Sequence, residues 1–172
     1  MSNTSQHISV IAVDFDGTMV EHQYPDIGKE IPGAVQVLQA LANEGHRIIL
    51  YTMRDNINKV PEWPEPYNCK EAPTVIEVAK NWCKEHYIPI FAVNDNPRCT
   101  FSKSRKVYAD IYIDDAALGC PLVSHIDNCG FTYGKSMVDW YMVEGMLVER
   151  GLLPKRRIPK NFYVENKLFP LT

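Results

Sequence analysis

Apolar and polar positions follow two periods in turn along this chain, and the alternation predicts a succession of strands and helices. Short apolar runs rich in β-branched residues are typical of buried strands. Such strands are predicted at 7–15, 47–52, 88–93 and 109–115. Apolar residues at a spacing of three or four indicate amphipathic helices. Helices are predicted at 32–45, 74–86 and 136–151.

Local end signals support the helix boundaries. Gly45 suits the end of the first helix, since glycine commonly ends helices. Thr74 with Glu77, and Ser136 with Asp139, have the spacing of a capping box. We therefore expect the second helix to begin at Thr74 and the third at Ser136.

Strands alternating with helices predict an α/β fold, with a mainly parallel, doubly wound sheet and helices on both faces. Three segments interrupt the pattern. These are 19–31, 55–72 and 119–135, the last of which has room for one short strand. In such a sheet, ligands bind at the carboxyl ends of the strands.

Acidic residues follow the first apolar run, in Asp14-Phe15-Asp16-Gly17-Thr18. Residues two apart on a strand point to the same side, and two buried carboxylates are costly without a cation. Magnesium suits carboxylate and phosphate oxygens. Gly17 lets the chain turn close to a phosphate, and Thr18 offers it a hydrogen bond. A surface turn is the alternative, but the apolar run before Asp14 argues against it.

A second acidic pair, Asp114-Asp115, follows the fourth apolar run. It is interpreted as a cation site, where one carboxylate binds magnesium and the other acts through water or orients the ligands. The alternative is a capping or turn aspartate. A cation near these acids would bind the phosphoryl group, and Lys106 is the first choice for it, with Lys103 second.

Three more polar residues follow predicted strands. Thr52 could hold a phosphate oxygen, although threonine is common in strands. Arg54 is predicted to bind substrate phosphate, with a solvated side chain as the alternative. Asn94 is predicted to contact substrate, but an ordinary Asn-Pro turn explains it equally well.

Taken together, these residues resemble the haloacid dehalogenase-like (HAD) hydrolases over roughly residues 8–125. The segment 14–18 resembles their motif I, Thr52 motif II, Lys106 motif III and Asp114-Asp115 motif IV. The stretch 104–115 resembles small HAD proteins, many of them uncharacterised bacterial or phage proteins.

The resemblance implies a Rossmann-like fold and transfer of a phosphoryl group to Asp14. It implies that Asp16 protonates the leaving group and then activates water. It also implies magnesium held by Asp14, the main-chain carbonyl of Asp16 and one or both of Asp114 and Asp115. The expected function is thus a magnesium-dependent phosphatase for phosphate monoesters.

The chain also departs from the larger members of that family, because it has no room for a large cap domain. We expect residues 1–153 to form a single catalytic domain, with 19–31 as a flap. The segment 55–72 is long for a connection, and we interpret it as a lid in which Trp63 or Tyr67 covers substrate. Residues 154–172 form a basic tail with five basic residues and one acidic residue.

Charge and composition limit the partners. The net charge of −3 does not favour nucleic acid, although the basic tail leaves a nucleic-acid 3′-phosphate open as an alternative substrate. A small phosphorylated metabolite or a nucleotide is expected instead. Five cysteines without a CxxC pair, no signal-peptide pattern and no long apolar run predict a cytoplasmic protein with no membrane partner.

Two other classes use similar residues. A signalling receiver domain also combines aspartates, Thr, Lys and magnesium, but its phosphoacceptor lies on a later strand than its acidic pair. The second class is a phosphate- or metal-binding protein that has the same fold but no catalytic activity. The presence of all four motifs argues against this class.

Overall fold

The computed structural model of the chain describes residues 7–56, 73–102, 104–126 and 132–155. The predicted lid residues Trp63 and Tyr67, the lysine Lys103 and the tail beyond Lys155 lie outside these ranges. The elements in chain order are β1 (Val10–Val13), α1 (Ala34–Asn43), β2 (Arg47–Leu50), α2 (Val75–Glu85), β3 (Ile90–Val93), β4 (Ile111–Ile113), β5 (Leu122–Ile126), β6 (Thr132–Val138) and α3 (Trp140–Glu149).

Strands β1 to β4 form one parallel sheet in the order β3-β2-β1-β4. Val13 on β1 is in register with Leu50 on one side and with Ile113 on the other. The chain therefore builds outward from β1 in one direction and returns to add β4 on its other side. This reversal leaves a crevice at the carboxyl ends of β1 and β4, the usual ligand position in open α/β sheets.

The main core lies on one face of this sheet. Ile11, Val13, Ile48 and Leu50 share that face and are fully buried. All three helices contribute buried residues to the same core cluster. The α/β fold with a mainly parallel sheet is confirmed, and the placement of helices on both faces stays a prediction.

The structure confirms one of the two predicted capping boxes. The capping box at Thr74 and Glu77 is confirmed, with side chain and backbone bonded reciprocally. The one at Ser136 is wrong, because Ser136 lies within β6. Asp139 itself caps α3, and its carboxylate accepts hydrogen bonds from the Tyr141 and Met142 N–H groups.

The segment 119–135, interpreted as irregular with room for one short strand, is more regular than predicted. It contributes β5 and most of β6, which pair as an antiparallel hairpin. Glycine and cysteine residues interrupt the alternation of apolar and polar residues that would indicate strands in this segment. Within the described ranges, no helix is both long and apolar enough to cross a membrane.

Candidate functional site

Three aspartates meet where β1 and β4 end. Asp14 follows β1 and donates its N–H to the Ile113 carbonyl at 2.9 Å, which ties the two strand ends together. Asp14, Asp114 and Asp115 each offer a carboxylate oxygen, and these oxygens lie within 4.8 Å of one another. All three side chains are only partly exposed. Clustered carboxylate oxygens are the donor set that a hard divalent cation prefers.

The electrostatics of Asp14 fit a cation as well. Burial raises the pKa of Asp14 from 3.8 to about 7, although a hydrogen bond from the Phe15 backbone opposes the shift. The charges of Asp114, Asp115 and Asp16 raise this pKa further. A divalent cation among these carboxylates would offset the repulsion between them, so the residues present fit the predicted magnesium.

Gly17 makes the close turn that the sequence predicted. Its φ is +81°, a conformation that favours glycine. A Cβ at this position would lie 2.2 Å from His22 Nε2 and 2.8 Å from Asp115 Cγ. No larger residue fits here without moving the acidic cluster.

Thr18 is fully buried beneath the site. Its hydroxyl oxygen accepts a hydrogen bond from the Asp115 N–H at 3.2 Å, and its carbonyl accepts one from Trp140 Nε1 at 2.6 Å. The structure therefore gives Thr18 a supporting position between the two acidic segments. Its predicted contact with substrate stays a prediction.

Residues 19–31 fold back on themselves beside the acidic cluster. Val20 forms an antiparallel bridge with Glu30, and the Ile31 N–H bonds to the Met19 carbonyl. This excursion brings His22 to the site, where Nε2 lies 3.0 Å from Asp115 Oδ2. His22 is not among the predicted site residues, because no spacing signal in the sequence connects it with a residue 93 positions away.

Asp16 lies apart from the three-aspartate cluster and pairs with Arg54. Arg54 Nε and Nη2 donate to the two carboxylate oxygens of Asp16 at 2.8 and 2.7 Å. Arg54 is fully buried, and it also donates to the carbonyls of Pro25 and Asp26. The predicted metal role of Asp16 therefore remains only for its main-chain carbonyl.

Arg54 was expected to bind substrate or to be solvated, and its position differs from both. Its guanidinium has no exposed surface and is surrounded by protein oxygens. Its charge also lies near the rings of Phe15 and Tyr24, at 4.9 and 5.2 Å from their centroids. A local sequence pattern could not reveal this, because the partners come from two distant segments, 15–16 and 24–26.

Thr52 and Asn94 hold the ends of β2 and β3 together. The Asn94 side chain accepts from the Thr52 N–H at 2.8 Å and donates to the Thr52 carbonyl at 2.9 Å. Asn94 has a φ of +50°. The Asn94 side-chain amide therefore bonds to the Thr52 backbone. This agrees with the turn alternative and gives no support to the predicted substrate contact. The Thr52 hydroxyl accepts from the Arg54 N–H at 3.2 Å, which leaves its own proton available.

Lys106 is exposed, and its Nζ lies 5.5 Å from the centroid of the Tyr112 ring on β4. Among the described residues, no ion pair joins it to the aspartates. The lysine lies beside the strand that carries Asp114 but does not contact the acidic cluster. Its role as the phosphate-binding cation stays a prediction.

Comparison with known proteins supports the fold and gives no activity. A search of solved structures finds a conserved protein from Bacteroides thetaiotaomicron with 34% identity and a TM-score of 0.58, over 84% of this chain and 93% of that one. Family models and curated proteins give no match. At this identity and coverage, the chain belongs to the same family as the conserved Bacteroides thetaiotaomicron protein.

Proposed function

We propose that this protein is a magnesium-dependent phosphatase of the HAD type, which hydrolyses phosphate monoesters through Asp14. One observation carries the proposal. Asp14, Asp114 and Asp115 converge at the switch point of a parallel sheet, while Asp16, two residues from Asp14, is held separately by Arg54. This arrangement gives the first two acidic residues different environments and therefore different tasks.

The chemistry follows from those tasks. A carboxylate oxygen of Asp14 forms a bond to phosphorus as the bond from phosphorus to the alcohol oxygen breaks, and Asp16 gives that oxygen a proton. Water then attacks the phosphorus of the aspartyl-phosphate, Asp16 takes up a proton from it, and phosphate leaves Asp14 free again. Asp14, Asp114 and Asp115 would hold magnesium, which would supply positive charge to stabilise the transferring phosphoryl group.

Other predicted residues have supporting roles in this proposal. The Thr52 hydroxyl, whose oxygen already accepts from the Arg54 N–H, donates a hydrogen bond to a phosphoryl oxygen. Lys106 binds the phosphoryl group after its ammonium leaves the Tyr112 ring. Gly17 and Thr18 keep the backbone close to the phosphate. Small phosphorylated metabolites or nucleotides are the proposed substrates.

The proposal is tested by a screen of phosphorylated metabolites for release of inorganic phosphate, with magnesium and with a chelator. We expect turnover only with magnesium. Asp14→Asn should lower kcat by at least about 10³-fold, because it removes the nucleophile. Asp139→Asn is a matched control, since asparagine caps a helix as well as aspartate does. Retained activity in Asp14→Asn would contradict the proposed mechanism.

Acetyl phosphate separates the proposal from a receiver domain. A phosphatase should hydrolyse it repeatedly with magnesium, whereas a receiver domain would accumulate a long-lived phosphoprotein. Intact-mass measurement after brief exposure distinguishes the two results. A stable single phosphorylation without turnover would reject hydrolysis as the function.

A further inference from the structure

The pair between Asp16 and Arg54 is unusually constrained. Both oxygens of the Asp16 carboxylate are bound, by Nε and Nη2 of Arg54 at 2.8 and 2.7 Å. A forked pair of this kind fixes the plane of the carboxylate as well as its distance. The Asp16 side chain is 18% exposed, whereas Arg54 is not exposed at all. The carboxylate therefore faces the crevice from a fully buried support.

Arg54 is itself held on several sides. Two of its three remaining N–H groups donate to the main-chain carbonyls of Pro25 and Asp26, at 2.9 and 2.6 Å. Its guanidinium lies near the rings of Phe15 and Tyr24. These contacts come from the end of β1 and from the flap, residues 19–31. Arg54 therefore connects the flap to the Asp16 carboxylate, which faces the crevice.

We propose that Arg54 is a positioning residue, which orients Asp16 for proton transfer and anchors the flap beside it. This inference rests on the proposed phosphatase function. Arginine stays protonated in proteins and is therefore unsuited to proton transfer itself. A carboxylate has about four acceptor positions, and Arg54 occupies two of them, so Asp16 keeps capacity for a proton on the crevice side.

A positioning role predicts a particular kinetic pattern. Arg54→Lys keeps the charge but loses the fork, and a misplacement on the order of 1 Å lowers rates by up to about 10²-fold. We expect kcat to fall by about 10- to 100-fold, with KM changed less than about threefold. The loss should be larger for alkyl phosphates than for 4-nitrophenyl phosphate, whose leaving group needs little help from an acid.

The decisive experiment is a double-mutant cycle with Asp16→Asn, measured on 4-nitrophenyl phosphate so that residual activity can be detected. If Arg54 acts through Asp16, Arg54→Lys should cost less than about threefold in the Asp16→Asn background. An equal loss in both backgrounds, or a rise in KM as the main effect, would overturn the inference. An unchanged kcat for Arg54→Lys in the wild-type background would overturn it as well.

The controls separate this inference from misfolding and from the wider proposal. Arg47→Lys is the matched change, because Arg47 lies at the opposite end of β2 over the Phe91 ring. Among the residues that the structure describes, no carboxylate pairs with it. Arg47→Lys should leave kcat unchanged. Thermal unfolding verifies that each variant is folded at the assay temperature. An inactive wild type on every phosphate tested would remove the phosphatase proposal and this inference together, whereas an active wild type with additive losses removes only the inference.

Discussion

The burial of Asp14, together with the charges of the neighbouring aspartates, leads to a quantitative prediction for stability. Replacing Asp14 with asparagine removes a carboxylate that the metal-free protein holds in an unfavourable place. The pKa of Asp14 rises from 3.8 to about 7 on folding, a change of about three units. Each unit corresponds to about 1.4 kcal/mol, so the full penalty for the charged form is about 4 kcal/mol. Because the side chain is partly exposed, water screens it, and we expect about 2 kcal/mol.

The direction of the pH dependence follows from the raised pKa. The folded protein favours protonated Asp14, so the penalty is absent below about pH 4, grows as the pH rises, and is complete above about pH 7. Asp14→Asn should therefore stabilise the metal-free protein most at about pH 8. At about pH 4.5 the gain should be roughly a quarter as large.

Thermal unfolding in a chelator measures this effect. A gain of about 2 kcal/mol corresponds to a rise in Tm of about 4–8 °C for a chain of this length. Magnesium should raise the Tm of the wild type more than that of Asp14→Asn. Asp139→Asn is the control and should show neither effect. Equal stabilisation at both pH values, or none at about pH 8, would refute the account of Asp14.

Two further changes test the surroundings of the site. Gly17→Ala should lower stability and weaken magnesium binding, because its methyl group would meet His22 at 2.2 Å, whereas Gly151→Ala has a similar φ and open space and should cost only about 1 kcal/mol. Denaturant unfolding and magnesium titration compare them, and equal effects would contradict the steric argument. Asn94→Ala should cost about 1–3 kcal/mol by removing both bonds to the Thr52 backbone, with KM nearly unchanged. A raised KM with unchanged stability would instead support the prediction that Asn94 contacts substrate.

The sequence predicted the parallel α/β sheet well, because each of its four strands lies in an apolar run with no competing signal. It also predicted that Asp14, Asp114 and Asp115 would meet, since strand ends share an edge of the sheet. Prediction failed where side chains bind backbone far away. Arg54 and Asn94 both follow strands, and sequence cannot distinguish an arginine or asparagine that faces a ligand from one that satisfies the protein's own carbonyls.

The hairpin of β5 and β6 was missed for a different reason. Its strands lie outside the parallel sheet, and the sequence between them contains no Asn-Gly or Asp-Gly pair, the usual signal of a two-residue hairpin turn. The misplaced cap at Ser136 has the same origin, because a serine within a strand can have capping-box spacing by chance. Long-range pairing overrides such local signals.

The return of the chain to place β4 against β1 has a consequence for how the protein reaches its native state. The Val10 N–H bonds to Asp110 Oδ2, a contact between residues 100 positions apart. Closing so long a loop is entropically costly, and such contacts slow folding. β1 and β2 can pair early through the short connection of α1, but the acidic cluster exists only after β4 has docked. Magnesium affinity would then report on the last stage of assembly, and a cation would select completed molecules from partly folded ones.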